Sequence, residues 1–369
     1  MRRSKPNAVL IVVILCLVIT TLLSLVKDDI NHQTSSFELF RRSLRARSNI
    51  NNNNPVTNGD ATIIIYPWAE HNLKPITEPL IHGNETASLF WHVPKSGGTT
   101  AKAMFECLGL TLVNRAGSLP KFGHDQDTEL IAFKPWGERG PSYVNADTST
   151  ELGILRAEKL GLVASGLGDV IVTSYPKFAV EHLYDINHKG RAFGIFRHPV
   201  DRLISKFYYL QVADWERTYS PKWKNIDINY WATINRDNDV YVRMLAGKKV
   251  GDPVDEDDLQ LAMSTIKERF VVGLIDEMEE SFRRFSIVIG IDKSNKNWEM
   301  CDGKFFGDSM KISNSNPHQM FAEESPEWDA IAQRNALDIR LFNFAQELFI
   351  EQSEIIDSLE YQSSAVPEE

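Results

Sequence analysis

Apolar residues along this chain fall into two rhythms. Short, nearly unbroken runs occur at Ser88-Leu89-Phe90-Trp91-His92-Val93, Asp169-Val170-Ile171-Val172-Thr173, Ala192-Phe193-Gly194-Ile195-Phe196 and Phe270-Val271-Val272-Gly273-Leu274-Ile275. Such runs suit strands covered on both faces of a parallel sheet. Between them the spacing changes to that of helices. Thr100 to Glu106 is helix-compatible, Leu203, Phe207 and Leu210 make a stripe, and Leu337, Leu341, Phe344, Ala345 and Leu348 share one face. A helix is also predicted over Met278 to Ile289, with Asp276 and Glu279 at capping-box spacing ahead of it. Alternating strands and helices predict an α/β fold, a parallel sheet with helices on both sides.

The amino terminus has a different pattern. Residues 8–26 form an uncharged run of nineteen, preceded by Arg2, Arg3 and Lys5. That length spans a bilayer, and basic residues on the leading flank keep that end cytoplasmic. No small-residue cleavage site follows, so the run reads as an uncleaved signal anchor with the remainder lumenal. Residues 27–87 then read as a stem, with alternating arginines at 41, 42, 45 and 47 and an asparagine-rich stretch from Asn49 to Asn54 closed by Pro55. The full division is a tail at 1–7, an anchor at 8–26, the stem, a catalytic domain at 88–356 and a flexible tail at 357–369. Asn84-Glu85-Thr86 is a glycosylation sequon just before the first strand.

Composition narrows the picture. With 43% apolar residues and no internal repeat, the segment after the stem can build one sizeable core. Forty basic against fifty acidic side chains give a formal charge of −10, which argues weakly against a broadly basic surface for polyanionic partners, and no nucleic-acid partner is expected. Three cysteines are present: Cys16 in the apolar run, and Cys107 and Cys301, whose separation leaves pairing open. No zinc spacing occurs.

Candidate chemistry lies where strands give way to helices. Pro94-Lys95-Ser96-Gly97-Gly98-Thr99-Thr100 follows the first apolar run and precedes a helical stretch. Glycines there let backbone N–H groups turn inward, hydroxyls add donors, and a helix N-terminus attracts anions. Lysine precedes the glycines, the reverse of the Walker A order, which disfavours a nucleotide kinase. Arg197 ends a second apolar run, at the strand edge where open α/β sheets bind ligands. Pro199 suits a first helical position, and Ser205 follows on the helix, so Arg197 can fork onto a phosphate with Ser205 adding a hydroxyl.

The P-K-S-G-G-T-T string resembles the 5′-phosphosulfate loop of the sulfotransferases, and R-H-P-V-D-R-L-I-S resembles their 3′-phosphate motif. Looser likenesses to the heparan and chondroitin branch extend over residues 88–350. They comprise Asn238 to Gly247, Val272-Gly273-Leu274, and a polar stretch from Lys311 to His318 where that family often has a loop closing over the nucleotide. The resemblance implies a P-loop-like sulfotransferase fold, 3′-phosphoadenosine 5′-phosphosulfate as co-substrate without metal, and a carbohydrate or glycoconjugate acceptor. It also implies binding of the donor by Lys95, Ser96, Gly97, Gly98, Thr99, Thr100, Arg197 and Ser205, with Lys95 neutralising the leaving oxygen. An anchored, lumenal catalytic domain likewise resembles Golgi-resident carbohydrate enzymes.

One departure concerns the base. Relatives commonly place a histidine just after the strand preceding the arginine motif, but here Ser174-Tyr175-Pro176-Lys177 follows Thr173. His182 is the candidate, with Glu181 and His124 behind it. Two alternatives stay open. A Golgi glycosyltransferase would use a D-x-D triplet, of which Asp125–Asp127, Asp237–Asp239 and Asp255–Asp257 are three. A tethered nucleotide- or glycan-binding relative would keep Lys95 and Arg197 without a base. Trp215, Trp223 and Trp231, spaced by eight, are candidates for stacking on sugar rings.

Overall fold

Seven strands form one sheet: β1 (Ser88–Trp91), β2 (Thr111–Val113), β3 (Ala132–Phe133), β4 (Ser142–Val144), β5 (Val170–Thr173), β6 (Ala192–Phe196) and β7 (Phe270–Leu274). Their order is β3-β4-β2-β5-β1-β6-β7, and all pairings are parallel except that of β3 with β4. The computed structural model describes residues 64–79, 86–216, 218–291, 295–307 and 319–364. All of them belong to one compact unit, Ile63–Glu369.

The helices are α1 (Pro67–Asn72), α2 (Gly98–Leu108), α3 (Glu151–Lys159), α4 (Pro176–Leu183), α5 (Pro199–Leu210) and α6 (Ile228–Ile234), followed by α7 (Val240–Ala246), α8 (Glu256–Arg269), α9 (Met278–Ile289), α10 (Trp298–Phe305), α11 (Pro326–Ala332) and α12 (Ala336–Ser364). Strand residues alternate between two cores, because successive side chains leave opposite faces of a sheet. Leu89, Trp91, Ala192 and Phe196 pack with α3, α4, α7, α8 and much of α12, whereas Phe90, Phe193 and Ile195 pack with α2, α9 and α10. A third cluster joins α5, α6 and α11 around Phe207 and Trp231. The expected helix-covered parallel sheet is therefore present, with an antiparallel edge strand added.

Boundaries differ from the sequence reading at both ends. Residues 64–79, assigned to the stem, belong to the fold: Trp68 and Ala69 of α1 are buried, and Leu73 bridges to Gly190. The final helix continues to Ser364, into the segment read as a tail, where Leu359 is buried. The Asp276–Glu279 capping box does not form. Ile275–Glu277 is instead a 3-10 turn, and the Ser281 hydroxyl takes the Leu274 N–H at 2.9 Å. Among the described residues no helix is long and apolar enough to cross a membrane. The anchor at 8–26, Asn84 and the Lys311–His318 stretch lie outside the described residues.

Cys107 at the end of α2 and Cys301 in α10 are joined by a disulfide, with their Cα atoms 5.8 Å apart. That distance is ordinary for a bridge.

Candidate functional site

From β1 the chain leaves through α2 toward β2, on one side. From β6, its neighbour, it leaves through α5 toward β7, on the other. Connections that diverge from adjacent parallel strands open a crevice at the carboxyl edge, the usual ligand position in such sheets. Both predicted anion motifs stand there.

The loop after β1 turns sharply. Lys95 has φ +70° and Gly97 +82°, both left-handed. For lysine that conformation costs about 1–2 kcal/mol; for glycine it is nearly free. Gly98 opens α2, whose first turn carries no acidic side chain. A Cβ on Gly98 would lie 1.9 Å from Cδ2 of His92, so the His92 ring occupies the space that glycine leaves. Burial holds His92 down to about 4, with Lys102 adding to the effect, so the ring is neutral at pH 7. Ser96 is buried, Thr100 half-buried and Thr99 exposed.

Arg197, at the end of β6, reaches back to this loop: its Nη1 donates to the Lys95 carbonyl at 3.1 Å. The two segments are further joined by Tyr241 of α7. Its hydroxyl accepts the Arg197 N–H at 3.0 Å, donates to the Arg197 carbonyl at 2.8 Å, and lies 3.2 Å from Ser96 Oγ. Tyr241 is itself fixed by a reciprocal cap. Asp338 accepts the Tyr241 and Val242 N–H groups at 2.9 and 3.0 Å, and Asp239 accepts those of Leu337 and Asp338 at 3.0 Å. Burial, with Asp239 nearby, pushes the Asp338 carboxyl up to about 7.

Charge at the crevice is mixed. Burial and then Arg197 lower the Lys95 ammonium, while Glu216 pulls the other way. Lys95 Nζ rests 3.9 Å from the centre of the Tyr209 ring. Asp201, in the first turn of α5, is raised above the carboxylate range chiefly by burial, against the pull of His198 and Arg197. Ser205 is buried one turn further on. Arg202 is fully buried and pairs with Asp237, which Lys206 also contacts, so it holds α5 to the loop between α6 and α7.

Lys95, the glycine loop, Arg197 and the Ser205 helix are thus brought together. The candidate bases are not. His182 sits in the last turn of α4, which starts at the carboxyl edge and runs back along the sheet, about 9 Å below its own start at 1.5 Å per residue. Its Nδ1 lies 2.9 Å from Glu158 of α3, and its ring packs on Phe178. Glu181 pairs with Lys177 at 2.8 Å. His124 pairs with Asp127 and packs on Phe133 of β3, the edge strand four places from β1, or about 19 Å at sheet spacing.

Other residues singled out in the sequence have defined places. Asp127 also accepts from Asn145, Asp237 and Asp239 hold α5 and α12, and Asp255 caps α8 with Asp258 in a true capping box. Each D-x-D triplet therefore contributes a carboxylate to local structure. Within the Asn238–Gly247 stretch, Arg243 donates to the carbonyls of Asn238, Lys249 and Asp252 and closes a loop. Trp231 is core, Trp223 packs at its margin, and Trp215 is exposed. Tyr241, Tyr209 and His92 were missed as site residues. Only Tyr209 carried a usable signal, being four residues beyond Ser205 on one helix.

Comparison with known families finds no family model that matches this chain, and comparison with curated proteins finds no match.

Proposed function

We propose that the chain is a sulfotransferase that moves the sulfuryl group of 3′-phosphoadenosine 5′-phosphosulfate onto a hydroxyl of a carbohydrate or glycoconjugate. Its catalytic domain would stand on the lumenal side of Golgi membranes, held by the anchor at 8–26. The observation that carries this reading is the meeting of two cationic motifs on adjacent strands, with Arg197 Nη1 on the Lys95 carbonyl at 3.1 Å. A donor with a 5′-phosphosulfate and a 3′-phosphate needs two anion sites that open on one crevice. The N-terminus of α2 with Lys95 serves the first, and Arg197 with Ser205 the second. The chain's contribution to transfer is then positioning and charge neutralisation, with Lys95 beside the oxygen that leaves. The Cys107–Cys301 bridge accords with an oxidising compartment.

Nucleotide discrimination tests the reading. Arg197→Ala is expected to weaken 3′,5′-ADP binding tenfold or more, as for losing a charge-assisted bond, and 5′-AMP binding by less than threefold. Ser205→Ala should follow the same direction with a smaller loss. Equal losses for both nucleotides, measured by calorimetry, would remove the 3′-phosphate assignment. Topology has its own test: protease added to sealed vesicles should spare the domain, and its digestion without detergent would contradict a lumenal placement.

A further inference from the structure

The wall opposite the glycine loop is built by the last turn of α5 and the loop after it. Tyr209 follows Ser205 by four residues, which puts both on one face of the helix, and its ring underlies the Lys95 ammonium at 3.9 Å. The Tyr209 hydroxyl accepts the Trp215 Nε1–H at 3.1 Å and donates to Glu216 Oε1 at 3.0 Å. Trp215 is 72% exposed. A lone exposed aromatic needs no explanation; this one is tethered through its N–H to the residue that carries Lys95, which leaves the indole face to solvent beside the reaction centre. Glu216 is exposed, close enough to act on the Lys95 charge, and its second oxygen has no partner among the described residues. No sequence-predicted base comes near this point.

We propose that Tyr209, Trp215 and Glu216 form the acceptor subsite, in which Trp215 carries a pyranose ring and Glu216 takes the proton from the hydroxyl being sulfated. This rests on the sulfotransferase reading and supplies the base and the substrate class for it. An amphipathic indole offers the flat apolar surface that the C–H face of a sugar needs, with its polar N–H already engaged. In the step itself the acceptor oxygen bonds to sulfur while the bond between sulfur and the bridging oxygen breaks. That electron pair departs on the 5′-phosphate of 3′,5′-ADP, beside Lys95. The acceptor proton passes to Glu216 and from there to water. Tyr209 orients the carboxylate through its O–H and keeps Lys95 on the opposite side of the transfer.

The test uses the full chain in detergent with labelled donor, offering desulfated glycosaminoglycans, N-glycans and a tyrosine peptide. Glu216→Gln should lower kcat roughly a hundredfold, within the range for loss of a general base. It should leave the Kd for 3′,5′-ADP within threefold, which also reports a folded site. Glu216→Asp should recover part of the rate. Trp215→Ala should raise the acceptor KM about tenfold. A kcat within threefold of the unmodified chain for Glu216→Gln overturns the base assignment, and transfer to the peptide alone, or to no acceptor, overturns the sugar subsite. Failure of the unmodified chain to bind 3′,5′-ADP would instead sink the sulfotransferase reading; Arg197-dependent binding with transfer indifferent to Glu216 and Trp215 would sink the subsite only.

Discussion

Gly98 and His92 show how closely the glycine loop is supported from below. Adding one methyl at Gly98 forces the imidazole out of the space it fills, 1.9 Å from the new Cβ, and overpacking of this kind costs about 1–3 kcal/mol. Gly98→Ala is therefore expected to lower the melting temperature and to weaken 3′,5′-ADP binding. In a His92→Ala background the same change should cost less than half as much, since the clash is gone; equal costs in a double-mutant cycle would contradict the contact. Lys95 and Arg197 were legible in the sequence because residue type, glycine content and position after a strand all carry chemical meaning. Tyr241 was not, because its role arises from a contact with Ser96 across 145 positions. The place of His182 was hidden for a similar reason. Its identity suits a base, but the helix that carries it leads away from the edge where chemistry would occur.

Among the elements, α7 and α12 hold the site through their mutual caps. Tyr241→Phe removes the hydroxyl that joins Arg197 to Ser96 and leaves buried polar groups unpaired, at a cost of about 1–3 kcal/mol. Both stability and 3′,5′-ADP affinity should fall, and a Phe variant with unchanged values for both would show that the link is idle. Asp338 adds a pH signature. Its carboxyl is near 7 in the folded chain against 3.8 ordinarily, so between about pH 4 and 7 the folded state holds a proton that the unfolded state has lost. Stability from this group therefore falls as pH rises through that window. His92, held to about 4 against 6.5, acts in the opposite sense, its contribution rising with pH between those values. The two slopes oppose each other in the native chain. Asp338→Asn should remove one, so the melting temperature of the variant should gain on that of the native chain from pH 4 to 7; parallel curves would contradict a protonated Asp338. The four buried strands and α9 were readable as continuous or periodic apolar patterns. β2, β3 and β4, of three, two and three residues, were not, because strands so short carry no period.

For the molecule as a whole, the Cys107–Cys301 bridge spans 194 positions and ties α2, which begins at the glycine loop, to α10. A loop of that length restricts the unfolded chain by up to about 5 kcal/mol in the chain-entropy account. Reduction, or Cys107→Ser, should lower the melting temperature markedly, and thiol labelling of the native domain should find neither cysteine free; labelling of both would contradict the bridge. The sheet order with its divergent connections explains why two motifs a hundred residues apart meet, a juxtaposition the sequence implied only through resemblance. Turnover of labelled 3′-phosphoadenosine 5′-phosphosulfate by the native chain and by Lys95→Ala decides whether Lys95 governs sulfuryl transfer. Transfer by the native chain is expected, with a loss of roughly a hundredfold or more in the variant, as for one preorganised charge donor, and with 3′,5′-ADP still bound by a folded protein. Transfer at full rate by a folded Lys95→Ala chain, or none by the native one, would contradict it.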